Sequence, residues 1–414
     1  MKKIVTFLAV LMLLALPACK TATAPVADPV DVVVTEEPIQ AETEVESEVE
    51  ATVEVETEVE TPAEVVEQVT IDYAKNFTLE YKDGYKLLTV TNPWFGATEP
   101  FVYALVPADT TVTDDLGDAV VINTPIDSFV SLSTTYLPFL DQIDMLSTLV
   151  AIDTPDYIYN PEVRTWAEAG MIASVGSGPS IDVEALIELA PDVIMTSASG
   201  SPDWDTHPAL EQAGLPVVIN SDYLEQDPLG RAEWGKFIAA FYDKEAEADK
   251  LFDEMVERYH VVKALTADLT EKKTVLINTA YEGTWYMPGK DSYAAILIKD
   301  AGGAYLWDDL EGTSAFPVDF EVVVERAQDA DVWINVGFAY GLADLLAMDS
   351  RYGDFAAYQN GAVYNNNLRV SEMGGTDYYE SAVANPDVVL LDLVKVFYPD
   401  LAPDHEFFYY QQLQ

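Results

Sequence analysis

The chain has 414 residues, with 72 Asp plus Glu against 21 Lys plus Arg and a formal net charge of −51. A surface this acidic repels phosphate backbones and argues against a nucleic-acid partner. One cysteine allows no internal disulfide and no cysteine-rich zinc site, and the scattered His207, His260 and His405 make a poor cage for a bare metal ion. The 49% hydrophobic content and the length suit about two domains plus extras.

The first residues, Met1-Lys2-Lys3, lead into an apolar run from Ile4 to Leu16 and then Pro17-Ala18-Cys19. A basic start, a short apolar stretch and a small residue before the cut are the layout of a secretory signal over residues 1–18. The run is shorter than the ~20 residues a membrane span needs. Leu16-Pro17-Ala18-Cys19 resembles the lipobox of bacterial lipoproteins, although Pro17 is a less usual residue there; the resemblance implies that Cys19 is lipidated and holds the mature chain on the membrane. An ordinary signal peptide with a coincidental cysteine is the other reading.

Residues 19–70 read as an acidic, disordered tether. Thr21 to Thr70 carries 13 Glu, two Asp and no Lys or Arg, in alternating stretches such as Val53-Glu54-Val55-Glu56. Alternation is nominally a strand pattern, but one face would be a row of like charges, so repulsion keeps it extended. Fully stretched, such a segment reaches on the order of 160 Å. With the tether's 15 acids and the lysines at positions 2, 3 and 20 set aside, the rest of the chain still carries −39.

A β-rich extension over residues 71–124 comes next. It opens with a hairpin, Phe77 to Lys82 and Tyr85 to Thr91, around the two-residue turn Asp83-Gly84, and Phe101 to Val106 is a further strand-like run. From Ser128 the pattern becomes strand and helix in alternation, which implies a largely parallel sheet. Over residues 125–228 the spacing predicts strands at Ser128–Ser131, Leu149–Ile152, Asp192–Thr196 and Pro216–Ile219, with helices between them. Residues 229–267 read as a long helical segment with breaks at Gly235 or Asp243-Lys244. Residues 268–414 repeat the alternation, with strands Thr274–Asn278, Val332–Val336 and Ala362–Tyr364 and a terminal helix Pro386–Phe397. Each half contains an Asp placed to cap a helix, a Glu in that helix's first turn and a buried strand after it: Asp182-Val183-Glu184 before Asp192-Val193-Ile194, and Asp319-Phe320-Glu321 before Asp331-Val332-Trp333.

Val130-Ser131-Leu132-Ser133, the block Val175-Gly176-Ser177-Gly178 through Pro191-Asp192-Val193-Ile194-Met195, and Pro288-Gly289-Lys290 together resemble the iron-complex and vitamin B12 class of ABC-transporter substrate-binding proteins, over about residues 125–400. The resemblance implies an α/β fold of two Rossmann-like lobes bridged by a rigid α-helix and clamping ligand between them. It also implies an ABC permease dimer with its ATPase as partner, and one exposed glutamate on each lobe that docks onto permease arginines. Those positions match Glu184 and Glu321, which otherwise read as ordinary first-turn glutamates.

In open α/β sheets ligands bind beyond the carboxyl ends of the strands, and here those loops are aromatic. Ser133, Tyr136, Tyr157, Trp204, Trp285, Tyr286, Phe316, Tyr378 and Tyr379 are the candidate ligand contacts, with Arg369 as the candidate cation. Aromatic faces with polar tips suit a large, flat ligand whose metal is already wrapped by its own chelator: a siderophore, haem or corrinoid. The poverty in basic residues departs from siderophore-binding relatives and favours a ligand of little charge, such as a corrinoid. No phosphate loop, H-E-x-x-H or G-x-S-x-G motif occurs, and Gly176-Ser177-Gly178 has Ile181 where a dinucleotide fingerprint needs glycine. The reading is therefore an extracytoplasmic, lipid-anchored binding component of an importer, without catalytic residues, cofactor or metal of its own. A ligand-sensing or storage lipoprotein of the same fold and an extracellular carboxylate hydrolase are the alternatives.

Overall fold

A computed structural model describes residues 68–414; Cys19, the signal segment and most of the tether lie outside the described residues. The first sheet is built from β1 (Phe77–Lys82), β2 (Tyr85–Val90), β3 (Phe101–Pro107) and β4 (Val120–Thr124), in that order. β1, β2 and β3 pair antiparallel, and β4 joins β3 in parallel. The hairpin turns at Asp83-Gly84, where Gly84 takes a φ of 84° that a side chain would disfavour. Strand alternation sends Phe77, Leu88, Val90, Tyr103, Leu105 and Ile122 to one face, where they share a core with Phe129, Leu140, Phe237 and Phe241. Each such side chain contributes roughly 1.5–3 kcal/mol by leaving water, so the extension is welded to the first α/β lobe and to the connecting helices.

The first α/β lobe contains β5 (Phe129–Ser131), α1 (Leu137–Gln142), β6 (Leu149–Ile152), α2 (Pro161–Glu168), β7 (Ala173–Ser174), α3 (Val183–Leu189), β8 (Val193–Thr196), α4 (His207–Gln212) and β9 (Val217–Ile219). Its sheet is wholly parallel with the order β7-β6-β5-β8-β9. The connecting segment is α5 (Pro228–Ala232), α6 (Trp234–Ala239) and α7 (Glu245–Ala264). The second lobe continues as β10 (Thr274–Ile277), β11 (Ala280–Tyr281), β12 (Thr284–Pro288), α8 (Tyr293–Asp300), β13 (Ala304–Tyr305), β14 (Ala315–Asp319), α9 (Phe320–Ala327), β15 (Val332–Ile334), α10 (Leu342–Met348), α11 (Ala356–Gln359), β16 (Val363–Asn365), α12 (Asp377–Glu380), α13 (Pro386–Phe397) and β17 (Gln411–Gln412). Its main sheet runs β13-β10-β15-β16-β17, parallel except for the last strand.

The repeated acidic motif has the same job in both lobes. Asp192 accepts the N–H groups of Asp127 and Ser128 and the Ser128 hydroxyl, at 2.7–2.9 Å. Asp331 accepts the Thr274 N–H and hydroxyl at 2.8 and 2.7 Å. Each aspartate thus ties together the amino ends of its lobe's two central strands. The helix caps are less alike: Asp182 accepts the Ala185 N–H at 3.0 Å, whereas the Asp319 side chain caps nothing.

The connecting segment is interrupted at Asp243, as expected, where a φ of 55° separates α6 from α7. Two features depart from expectation. Gly235 stays helical instead of breaking the segment. Gly235 is there for close approach, since a Cβ would lie 2.9 Å from the Phe139 ring. The antiparallel sheet β11-β12-β14 also appears where only loop was expected.

Buried charge organises the connector. Glu233, at 0% exposure, accepts the N–H groups of Asp72, Tyr73 and Ala74 at 2.8–2.9 Å and pairs with Lys236 at 3.0 Å. Lys236 also reaches the Thr70 carbonyl and Asp249 of α7. Glu225 takes the N–H groups of Lys75 and Asn76, both at 2.9 Å, and the Trp234 indole N–H. A second junction joins the lobes directly: the Glu380 carboxylate accepts the N–H groups of Tyr159 and Asn160 at 2.7 and 2.9 Å.

These carboxylates have two measurable consequences. Removing one partner of a buried ion pair strands the other, so Glu233→Ala should lower stability by about 3–5 kcal/mol in denaturant titration; a loss under about 1 kcal/mol would contradict the clamp. Burial pushes the Glu380 carboxyl up to about 7, outweighing its two backbone donors, with Asp377 adding to the rise and Arg164 opposing it. The folded chain therefore holds a proton that the unfolded chain releases near pH 4.5. That contribution is complete below about pH 4.5 and is lost as pH rises to about 7, by about 1.4 kcal/mol per unit. Glu380→Gln should flatten this slope, and an unchanged slope would refute the assignment.

Candidate functional site

In each lobe the first strand of the main sheet is flanked on one side by the next strand of that sheet and on the other by a later one. The strand order therefore reverses between β5 and β8, and between β10 and β15. Such switch points leave a crevice at the carboxyl ends of the strands, because the connections leave in opposite directions. Both crevices open onto one cleft of about 610 Å³. Ser133 and Ser197 enter it from beyond β5 and β8, and Asn278 and Asn335 from beyond β10 and β15. Tyr223, after β9, and Asn366, after β16, extend the two walls.

Local chemistry fixes these groups. The Ser133 hydroxyl accepts the Thr135 N–H at 3.3 Å and so caps the turn that carries Tyr136. Asn278 and Asn335 have φ of 67° and 56°, a left-handed backbone that asparagine tolerates better than most residues. The Asn278 amide donates to the Tyr286 carbonyl at 3.0 Å, and the Asn335 carbonyl oxygen accepts the Tyr410 hydroxyl at 2.8 Å. Among the described residues, each keeps one end of its amide, the oxygen of Asn278 and the nitrogen of Asn335, without a protein partner.

Seven tyrosines line the cleft. Tyr136 is buried, Tyr293 and Tyr378 are half-buried, and Tyr223, Tyr281, Tyr286 and Tyr379 are exposed at the rim. Burial drives the Tyr136 and Tyr378 hydroxyls well above the ordinary tyrosine range and the Tyr293 hydroxyl up to about 12, so all three are neutral donors at physiological pH. The charged groups of the lining are Asp222 and Arg231. Burial raises the Asp222 carboxyl, and the Arg231 guanidinium beside it holds the rise back. Arg231 itself lies 4.4 Å over the Tyr293 ring and donates to the Tyr223 carbonyl at 2.8 Å. Among the described residues, no group of three His, Cys, Asp or Glu side chains could hold a metal ion.

Of the residues expected from sequence, Ser133, Tyr136, Tyr286, Tyr378 and Tyr379 meet in the cleft. Trp204 lies in an adjoining compartment of about 370 Å³. Trp285 does not face the cleft. It precedes Tyr286 on β12, and successive strand residues point to opposite faces, so Trp285 is at 0% exposure with its indole N–H on the Ile277 carbonyl. Its neighbours are Trp333, Phe320 and Tyr352. Phe316 is half-buried opposite Met287 on β14, and Tyr157 is exposed; neither lines the cleft. Arg369 is held by Asp377 at 2.5 Å and stacks 4.1 Å over Phe408, so the cation of the cleft is Arg231 instead. Glu184 and Glu321 are exposed in the first turns of α3 and α9. Asp222, Arg231, Tyr293 and the three asparagines were missed, although asparagine directly after Ile277 and Ile334 was a readable sign of strands ending in a special backbone.

The periplasmic binding protein family model matches residues 130–366. An uncharacterized lipoprotein of Methanocaldococcus jannaschii is 28% identical over 357 residues, covering 80% of this chain and 82% of that one. Among solved structures, a periplasmic solute-binding protein of Staphylococcus epidermidis, described as a possible iron-binding protein, is similar with a TM-score of 0.51 at 17% identity, over 66% of this chain and 100% of its own. A periplasmic heme binding protein of Pseudomonas aeruginosa is similar with a TM-score of 0.50 at 18% identity, over 66% of this chain and 94% of its own. With two parallel sheets facing one cleft and more than half of the sequence matched, the chain belongs to the periplasmic binding protein family.

Proposed function

We propose that this protein is the extracytoplasmic binding component of an ABC importer, lipid-anchored through Cys19, and that its cargo is a metal chelate of little net charge. The observation that carries the ligand class is the cleft's chemistry. Seven tyrosines and three asparagines offer rings, hydroxyls and amides, while the single cation of the described lining, Arg231, has Asp222 near it and is engaged with Tyr223 and Tyr293. An anionic catecholate or carboxylate chelate would find a single cation among the described residues lining the cleft, Arg231 with Asp222 near it, and would approach a strongly acidic body. A corrinoid, with its flat ring and peripheral amides, meets complementary donors and acceptors. The similar structures from Staphylococcus epidermidis and Pseudomonas aeruginosa, described as possibly iron-binding and as heme-binding, keep ferric chelates and haem among the candidates.

In this reading the protein captures its ligand and delivers it unchanged. Glu184 and Glu321 stand exposed on the two lobes, where each can meet an arginine of a permease subunit.

Melting the mature protein against cobalamin, cobinamide, haem, a ferric hydroxamate and a ferric tricatecholate tests the ligand class. A corrinoid at 100-fold excess over its dissociation constant should add about 2.7 kcal/mol, several degrees in Tm, and the tricatecholate nothing. Stabilisation by the tricatecholate alone would overturn the charge argument. In the transport assay, Glu184→Ala with Glu321→Ala should abolish uptake while leaving the Kd for ligand unchanged; full uptake would remove the docking role.

A further inference from the structure

The compartment that holds Trp204 has no assigned role. It adjoins the cleft and shares Ser197 and Tyr223 with it, so one ligand can occupy both. Tyr223 forms the partition, fixed by its hydroxyl on the Ala198 carbonyl at 2.6 Å. The charged group of the compartment is satisfied: Asp205 accepts the N–H and hydroxyl of Ser199 and the Gly200 N–H at 2.7–2.8 Å, and the Thr196 and Thr206 hydroxyls pair at 3.2 Å. What remains available is the Trp204 indole, 72% exposed, with the small neutral hydroxyls of Ser177 and Ser197.

The wall of this compartment is shaped from outside the lobe. Trp94, in the segment between β2 and β3, packs its indole so closely against Gly200 that a Cβ there would lie 2.5 Å from the ring. The same indole stacks on His207 at the start of α4, with centroids 5.6 Å apart. Trp94 lies outside residues 130–366, so an element beyond the family's matched core supports the loop that carries Trp204.

We propose that the compartment is a second binding site that receives an uncharged, planar appendage of the ligand against the Trp204 ring, with Trp94 as the residue that positions its wall. An aromatic face with its neighbouring charge already satisfied binds a flat neutral group and disfavours an ionised one, which would displace existing hydrogen bonds. This deepens the reading of the cleft as a ligand site and rests on it for the body of the ligand.

Benzamide, a flat neutral fragment, tests the compartment apart from the chelate, by saturation-transfer NMR titration of the mature protein, with benzoate as the charged counterpart. Benzamide should bind more tightly than benzoate. Trp204→Ala, at an exposed position that leaves the fold intact, should weaken benzamide by roughly five- to tenfold. Trp94→Ala should weaken it several-fold and Trp94→Phe much less, while Tyr286→Ala, which touches only the main cleft, should leave it unchanged. Equal affinity in Trp204→Ala, no wild-type binding up to the solubility of benzamide, or an equal loss in Tyr286→Ala would each overturn the proposal. Benzamide binding as expected, together with no melting shift from any chelate, would leave the compartment standing and remove the chelate reading.

Discussion

Two carboxylates shut away from water, Glu225 and Glu233, hold the start of the body to the connector, and the packing of the extension on the connector is built over them. Five consecutive backbone N–H groups, Asp72 to Asn76, point into these two side chains. An ionised carboxylate is costly to bury unless its lone pairs are met, and here the chain's own backbone and Lys236 meet them. The same lysine reaches Asp249, so α6, α7 and the strap at residues 70–76 form one unit.

The electrostatic character of the cleft arises from how the few cations are distributed. Lys86 is buried with Asp243 and Glu245, Lys236 with Glu233, and Arg326 and Arg351 pair with Asp309 and Asp349. Arg369, the residue that sequence made the cation of the site, is held by Asp377. With most of the positive charge committed to holding elements together, the cleft is left with one arginine, near Asp222, among neutral donors. Tyr136, Tyr293 and Tyr378 stay protonated because burial penalises the phenolate. A protein with a strongly acidic surface can in this way offer a bulky polar ligand a wall of mainly neutral groups.

Sequence carried most of the fold because periodicity is a local property. Leu149–Ile152 and Pro386–Phe397 occur with the bounds that pattern predicts, and the hairpin turns at Asp83-Gly84. The β11-β12-β14 sheet escaped notice because its strands are short and β12 gains its order from pairing with the distant β14. The site was only half legible for a related reason. Aromatic loops mark a cleft, but whether Trp285 or Tyr286 faces it depends on strand parity, and parity cannot be assigned to a segment read as loop. Arg231 was hidden because it sits in a helix of the connector rather than in a loop after a strand.

The central claim is that ligand sits where the strand order reverses in both lobes, between Ser133 and Ser197 on one side and Asn278 and Asn335 on the other. Calorimetric titration of cobinamide into wild-type protein and into Asn278→Gly with Asn335→Gly measures this directly, since glycine keeps the left-handed backbone and removes only the amides. The account predicts a loss of affinity of at least about tenfold, the effect of one or two hydrogen bonds. Affinity equal to wild type in a folded double variant would contradict it.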